Sequence, residues 1–296
     1  MRAGTQTADA ELLRALGSVP TSPPPHCEPV LTALGLPAPT AAGHTGVFVL
    51  SAPPHAAIHL GAEGKLGGEG LDRVAGFWRA IGLTPPPDAD QLGVLLMLYA
   101  ELAEAEVAAR TEVTRERLRH ARVTLLREHL WSWAPGYLTA VGRVAGPALA
   151  AWADLTLRAL HREARSAAAA RTAALPAALR AAPAPVGPGD SRDQLLDSLV
   201  APVRSGILLT REDLREAAAA AGLGYRVGER RYTLAAMLDQ DPSATLGWLR
   251  GHADRWAESH AGQPPVDGHD PSHWWARRAT RTARTLRALQ AQLVTF

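Results

Sequence analysis

Four histidines toward the end of the chain, His252, His260, His269 and His273, form its densest group of side chains able to bind a metal. Zinc needs three or four ligand atoms about 2 Å from one centre. His252 and His260 are eight residues apart, which places them on one helical face but about 12 Å from each other at the usual rise per residue. No HExxH motif supplies a paired ligand with a carboxylate base. Cys27 is the sole cysteine, so there is neither an internal disulfide nor a cysteine-based zinc site. The spacing leads us to expect no bound metal.

Other catalytic patterns fail in the same way. The run Gly61-Ala62-Glu63-Gly64-Lys65-Leu66-Gly67-Gly68 is rich in glycine and holds a lysine. It misses the P-loop spacing, and no Ser or Thr follows the lysine to hold magnesium, so it reads as a turn or loop. No GxSxG segment presents a serine nucleophile. Carboxylates are scattered along helices, with no isolated pair in apolar company. No catalytic residue and no cofactor is expected, and the chain reads as a binding protein without chemistry of its own. The pairs Arg230-Arg231 and Arg277-Arg278 lie deep in the sequence, whereas an export signal carries its twin arginines near the N-terminus before an apolar stretch. They read as surface arginines.

The elements that would position these residues are helical. Apolar residues make up 47% of the chain and charged residues 20%, the balance of an ordinary globular protein. Lys65 is the only lysine, so arginine supplies the rest of the positive charge, which we ascribe first to the codon usage of a GC-rich genome. A net charge of only +2 argues against a global attraction to nucleic acid, because that affinity grows with the number of phosphate contacts. Met1 to Val19 carries Arg2, Asp9, Glu11 and Arg14 and no apolar core, so no signal peptide is expected. No run approaches 18 uninterrupted apolar residues, so no transmembrane helix is expected. The protein is expected to be cytoplasmic.

Along the chain, residues 8–17 read as a short helix and residues 20–46 as a Pro/Gly-rich connection. Val47-Phe48-Val49-Leu50 is a brief apolar run, either a strand or a buried extended piece. Leu71, Val74, Ala75, Trp78 and Ile81 mark one face of a helix that Gly82 and Pro85-Pro86-Pro87 end. Asp88 or Asp90 is the expected N-cap of a long helix running to about Ala109. The spacing predicts one continuous helix from Thr114 to Trp133, then helices over Gly136–Ala145 and from Pro147 to about Ala170. Residues 176–192, with four prolines among small residues, read as a linker. Beyond it, helices are expected over 193–200, from a cap at Thr210 to Gly222, and over 233–238, 243–260 and 274–294. The fold class is all-α. The expected organisation is 1–110 and 111–175 as two helical halves, 176–192 as linker, and 193–296 as a C-terminal helical extension.

The order of several segments resembles the TorD/DmsD type of redox-enzyme maturation chaperone. The matching pieces are Pro53-Pro54-His55 through Leu60, Val74-Ala75-Gly76-Phe77-Trp78, Pro87-Asp88-Ala89-Asp90-Gln91-Leu92 opening a long helix, and Leu126-Arg127-Glu128-His129-Leu130-Trp131-Ser132-Trp133-Ala134-Pro135. They span about residues 47–165. The family's Pro-Asp-His-Leu signature departs here at two places, Ala89 for the proline and Gln91 for the histidine, which puts any imidazole-dependent role at that position in doubt. The resemblance implies a multi-helix bundle that binds the twin-arginine signal peptide, or the apo form, of a molybdenum-cofactor oxidoreductase and assists its maturation. Expected partners are the molybdoenzyme catalytic subunit or its signal peptide, with no nucleic acid and no membrane insertion, and the chain acting as monomer or homodimer. An apolar peptide bearing two positive charges needs aromatic walls and carboxylates at one rim. Asp88, Asp90, Gln91, Tyr99, His129, Trp131 and Trp133 are the expected client-binding or hinge residues.

The competing reading is a helix-turn-helix regulator. It would use the helix from Thr210 to Gly222, the basic residues Arg226, Arg230 and Arg231, and the helix at Thr233. The connection of about ten residues exceeds the three or four of that motif. A helical enzyme is the third reading, and it lacks a nucleophile–base pair.

Overall fold

The computed structural model describes residues 2–167, 174–264, 266 and 271–294. Among these residues the architecture is all-α, and the only β-type pairing is a single antiparallel bridge between His55 and Gln91. The chain divides into two compact units. The first is built mainly from residues 1–57 and 66–177, and the second from 58–65, 178–265 and the last helix. None of the described helices is long and apolar enough to cross a membrane.

The first unit opens with α1 (Arg2–Thr21), α2 (Glu28–Ala33) and α3 (Ala41–Thr45). A π-helical turn, Gly46–Ser51, and α4 (Ala56–Leu60) lead to α5 (Gly68–Ala80), α6 (Leu92–Ala108) and α7 (Glu112–Thr124). A second π-helical turn, Leu125–Leu130, precedes α8 (Ala134–Val144) and α9 (Pro147–Ala167). Three sequence expectations change here. The first helix extends through Pro20. The apolar run at Val47 coils instead of extending, with Val47 and Phe48 buried and Val49 and Leu50 exposed. The helix expected over Thr114–Trp133 begins at Glu112, capped by Thr111, and widens into the π-turn. That wider turn rotates the chain so that Leu125, Leu126, His129 and Leu130 are all buried, although α7 itself buries no residue.

The helices α1 and α6 form the centre of this unit. Leu13, Leu16 and Val19 of α1 and Leu92, Leu95, Leu96 and Leu98 of α6 are fully buried. Small residues let the two backbones touch. Ala10 clusters with Ala100 and Ala103. A Cβ on Gly17 would meet the Gly93 carbonyl oxygen at 2.7 Å, and one on Gly93 would collide with the Gly17 carbonyl. The pairing of early with late residues makes the helices antiparallel.

The second unit contains α10 (Ala177–Arg180), α11 (Arg192–Val200), α12 (Pro202–Ser205), α13 (Arg211–Ala221), α14 (Arg230–Gln240), α15 (Pro242–Ala261) and α16 (Pro271–Val294). The capping signals read from sequence at α13 are present: Thr210 and Asp213 form a capping box, and Gly222 ends the helix at φ 66°. Helices α15 and α16 pack as a long hairpin. An alternating row of rings, Trp248, His252, Trp256 and His260, continues onto Trp275 and Trp274, with successive centroids 4.8–6.4 Å apart. The proline-rich segment read as a linker lies against this unit. Val186 is buried, its carbonyl accepts from Thr285, and the Pro183 carbonyl accepts from Arg278. Proline removes backbone donors but leaves carbonyls, so such a segment can be held by side chains from a helix.

Gly93 and Gly76 offer an opposed pair of tests. Gly93→Ala should destabilise the first unit by about 2–3 kcal/mol, because the added methyl forces α1 from α6. Gly76→Ala on the exposed side of α5, where a Cβ meets nothing, should stabilise by up to about 1 kcal/mol through helix propensity. Urea unfolding of the two variants should shift the midpoint in opposite directions.

Candidate functional site

The seven expected site residues fall between Asp88 and Trp133, and the structure gives them different tasks. The N-cap of α6 is Gln91, not Asp88 or Asp90: its Oε1 accepts from the Val94 N–H at 3.1 Å. Its Nε2 donates to the Pro20 carbonyl at 3.3 Å, so one amide caps α6 and ties down the end of α1. A neutral imidazole also offers one acceptor and one donor, so glutamine replaces the signature histidine without losing that capacity.

Asp90 is displaced from capping because its carboxylate serves another helix. It is buried, and its Oδ2 accepts from the Ala57 N–H in the first turn of α4 at 2.8 Å. Its Oδ1 lies 3.2 Å from His55 Nδ1. A negative charge at a helix N-terminus meets unpaired N–H groups and the positive end of the helix dipole. Backbone bonds flank this contact, from Ala56 to the Asp90 carbonyl at 3.0 Å and from Leu92 to the Pro54 carbonyl at 2.7 Å. Segments 54–57 and 90–92 are thus clasped side by side. Ala89, in place of the signature proline, is fully buried and its carbonyl accepts from Trp78 Nε1 at 3.3 Å. Asp88, just outside the clasp, is exposed.

Tyr99 does not line a groove. It is fully buried, donates to Glu163 Oε2 at 2.6 Å and accepts from Arg122 at 2.6 Å, joining α6, α7 and α9. Arg122 also donates to buried Glu106, which receives Arg119 as well. Burial first, then the neighbouring Glu163, raises the phenol above its ordinary range and keeps it protonated as a donor. This network satisfies its charges internally, a structural joint that the helical periodicity of Tyr99 gave no means to distinguish from a groove wall.

The His129–Trp133 segment is likewise interior. Trp133 is buried against Tyr137 and its indole donates to the His129 carbonyl at 2.7 Å. Tyr137, which sequence reading passed over, donates to the Ala52 carbonyl at 3.0 Å and holds the end of the first π-turn. Trp131 meets His161 edge to face at 4.9 Å. The His129 ring lies against Phe77, and its pKa falls to about 4 through burial, with a smaller push from Arg73.

Exposed groups close in sequence to the clasp include Val49, 62% exposed, Leu50 and Asp88. Of these, the sequence singled out only Asp88. A short apolar run gives no sign of which of its residues face out.

Two of the four histidines singled out in the sequence face backbone carbonyls. His252 Nε2 lies 3.0 Å from the Leu208 carbonyl and His260 Nε2 3.1 Å from that of Gly206. His273 is exposed on α16, and His269 lies outside the described residues. No group of three or more potential metal ligands occurs among the described residues. The basic stretch required by a DNA-binding reading is spent internally. Arg230 donates to the Leu209 and Gly64 carbonyls, and Arg231 pairs with Asp193 and Asp197.

The described residues form an all-helical fold in which polar side chains clasp helix ends. Residues 38–138 match the family model described as nitrate reductase delta subunit, and all seven expected site residues lie within that segment. This TorD-like family is one of redox-enzyme maturation chaperones for molybdoenzymes, and the resemblance read from the sequence holds over the matched segment. No curated protein and no solved structure matches the chain.

Asp90→Ala strands the buried Ala57 N–H and should cost about 1–3 kcal/mol, while Asp90→Asn keeps an acceptor and should cost less. Equal melting of both variants and the parent protein would remove the clasp from the account of stability. His129 supplies a pH test. Its folded pKa is depressed to about 4 from 6.5, so the unfolded chain takes up the proton first as pH falls. Its contribution is present above about pH 6.5 and is lost as pH drops toward 4, on the order of 3 kcal/mol in all. The stability of His129→Gln should therefore fall less between pH 7 and 4.5 than that of the parent, measured by urea unfolding at each pH.

Proposed function

We propose that this chain is a cytoplasmic, non-catalytic chaperone that binds the signal peptide or apo form of a molybdenum-cofactor oxidoreductase and assists its maturation. The match of residues 38–138 to the nitrate reductase delta subunit family carries the reading. The client is the catalytic subunit of such an enzyme, held until its cofactor is in place.

The physical case for where the client binds rests on what is exposed around the clasp. A signal peptide brings an apolar stretch and two arginines. Val49 and Leu50 offer apolar side chains to the first, and Asp88 offers a carboxylate to the second. Val49 and Leu50 lie within five residues of Pro54 and Asp88 two residues before Asp90, so the clasp positions the contact surface. Asp90, Gln91, Tyr99, His129, Trp131 and Trp133 then act by holding that surface in shape.

Isothermal titration with a synthetic peptide bearing twin arginines before an apolar stretch tests the reading. Val49→Ser with Leu50→Ser should weaken binding about tenfold, as expected when two apolar anchors are lost, and Asp88→Asn by several-fold. Unchanged affinity in all these variants would move the client surface elsewhere. Failure of the chain to retain any molybdoenzyme catalytic subunit in co-purification would remove the function itself.

A further inference from the structure

The helix α16 contains five arginines and no acidic residue in 24 positions. Its buried face carries Trp274, Trp275, Ala279, Thr282, Ala283 and Leu286 into the second unit. The opposite face is a row of His273, Arg277, Arg281, Arg284 and Arg287, spaced at three or four residues and exposed to solvent. None of these four arginines makes an ion pair among the described residues. Most of the unit's other arginines are occupied: Arg192 by Asp239, Arg215 by Glu212, Arg231 by two aspartates, and Arg204, Arg230 and Arg278 by backbone carbonyls. The like charges crowd one another. The guanidinium of Arg278 is lowered to about 10, first by burial and then by Arg281 and Arg204. His273, Ala276, Arg277, Thr280, Arg281 and Arg284 line an open depression in which the small Ala276 and Thr280 leave room between the cations.

We propose that this row is a docking surface for an acidic helical segment of a protein partner, and the proposal stands apart from the client surface described above. Arg277 to Arg287 covers about 15 Å in a single line. A partner helix with carboxylates at positions i, i+4 and i+7 repeats at the same spacing and can pair each guanidinium in bidentate fashion. A DNA duplex fits less well, because one line of four charges meets one phosphate strand, and so few contacts give weak binding at physiological salt. A membrane surface fits less well again. Interfacial helices insert an apolar face, and the apolar face of α16 is packed inside the unit.

The probe is a labelled helical peptide of about 18 residues with glutamates at i, i+4 and i+7, set against a scramble of the same composition, with binding to the full-length chain read by fluorescence anisotropy. The patterned peptide should bind several-fold tighter than the scramble. The triple variant R277Q/R281Q/R284Q should lose about tenfold or more of that affinity, in line with three exposed ion pairs. R277K/R281K/R284K, which keeps charge but not the planar fork, should lose less. All substituted residues are exposed, so circular dichroism and melting should match the parent protein. Equal binding of patterned and scrambled peptides, unchanged affinity in the triple glutamine variant, or tighter binding to a short DNA duplex or to phosphatidylserine vesicles would each overturn the proposal.

Discussion

The first unit depends on how the C-terminal end of α1 is satisfied. A helix leaves its last carbonyls without partners, and Pro20 adds one more by removing the N–H that would have reached Leu16. Three side chains from three different elements close these gaps. Trp152 of α9 donates to the Leu16 carbonyl at 3.0 Å, His44 of α3 to Val19 at 2.9 Å, and Gln91 to Pro20 at 3.3 Å. Thr21 turns back on Gly17 and Ser18. Each bond is of ordinary strength, but leaving any one carbonyl buried and unpaired would cost more than the bond gains. The end of α1 therefore fixes the positions of α3, α6 and α9 together.

That constraint reaches the candidate site through two neighbouring residues. Gln91 holds α1 with one end of its amide and starts α6 with the other, and Asp90 beside it starts α4. The Gly17–Gly93 contact keeps α1 close enough for the glutamine to reach. The π-turn at Gly46–Ser51 is fixed by the same group of elements: Phe48 packs edge to face on Trp152 and His44, and Tyr137 holds Ala52. Val49 and Leu50 are thus displayed from a rigid support. An apolar contact surface that does not have to order itself on binding keeps more of its interaction energy as affinity.

Much of this was legible in the sequence, and the parts that were not share a physical reason. Periodicity located the helices because burial of one face imposes its spacing on apolar residues. Capping chemistry located the start of α13 because Thr210 and Asp213 act within one turn. It failed at α6 because the aspartate there serves a helix 33 residues earlier, and local rules contain no distant partner. The same limit explains the misread Tyr99: its spacing marks a buried face but cannot reveal that Arg122 and Glu163 arrive from other helices. The two π-turns were missed because a single extra residue in a turn leaves the composition of the segment unchanged.

The residues that looked most chemical in the sequence are explained by the same need for carbonyl partners. His252 and Trp256 face the Leu208 carbonyl, His260 faces Gly206, Trp78 reaches Ala89, and Trp133 reaches His129. Most of these acceptors lie where a helix ends or a loop turns inward, beyond the reach of regular backbone bonding. An indole or imidazole supplies a donor on a large apolar body, so it can fill the core and complete the bond at once. A carbonyl only accepts, which fixes the ring nitrogen facing it as a protonated one in His44 and His260. Burial disfavours the charged ring and lowers the pKa of His260 to about 4, against the hydrogen bond to Gly206, which favours it. His44, His252 and His260 thus complete interrupted backbone segments that the interior had to absorb.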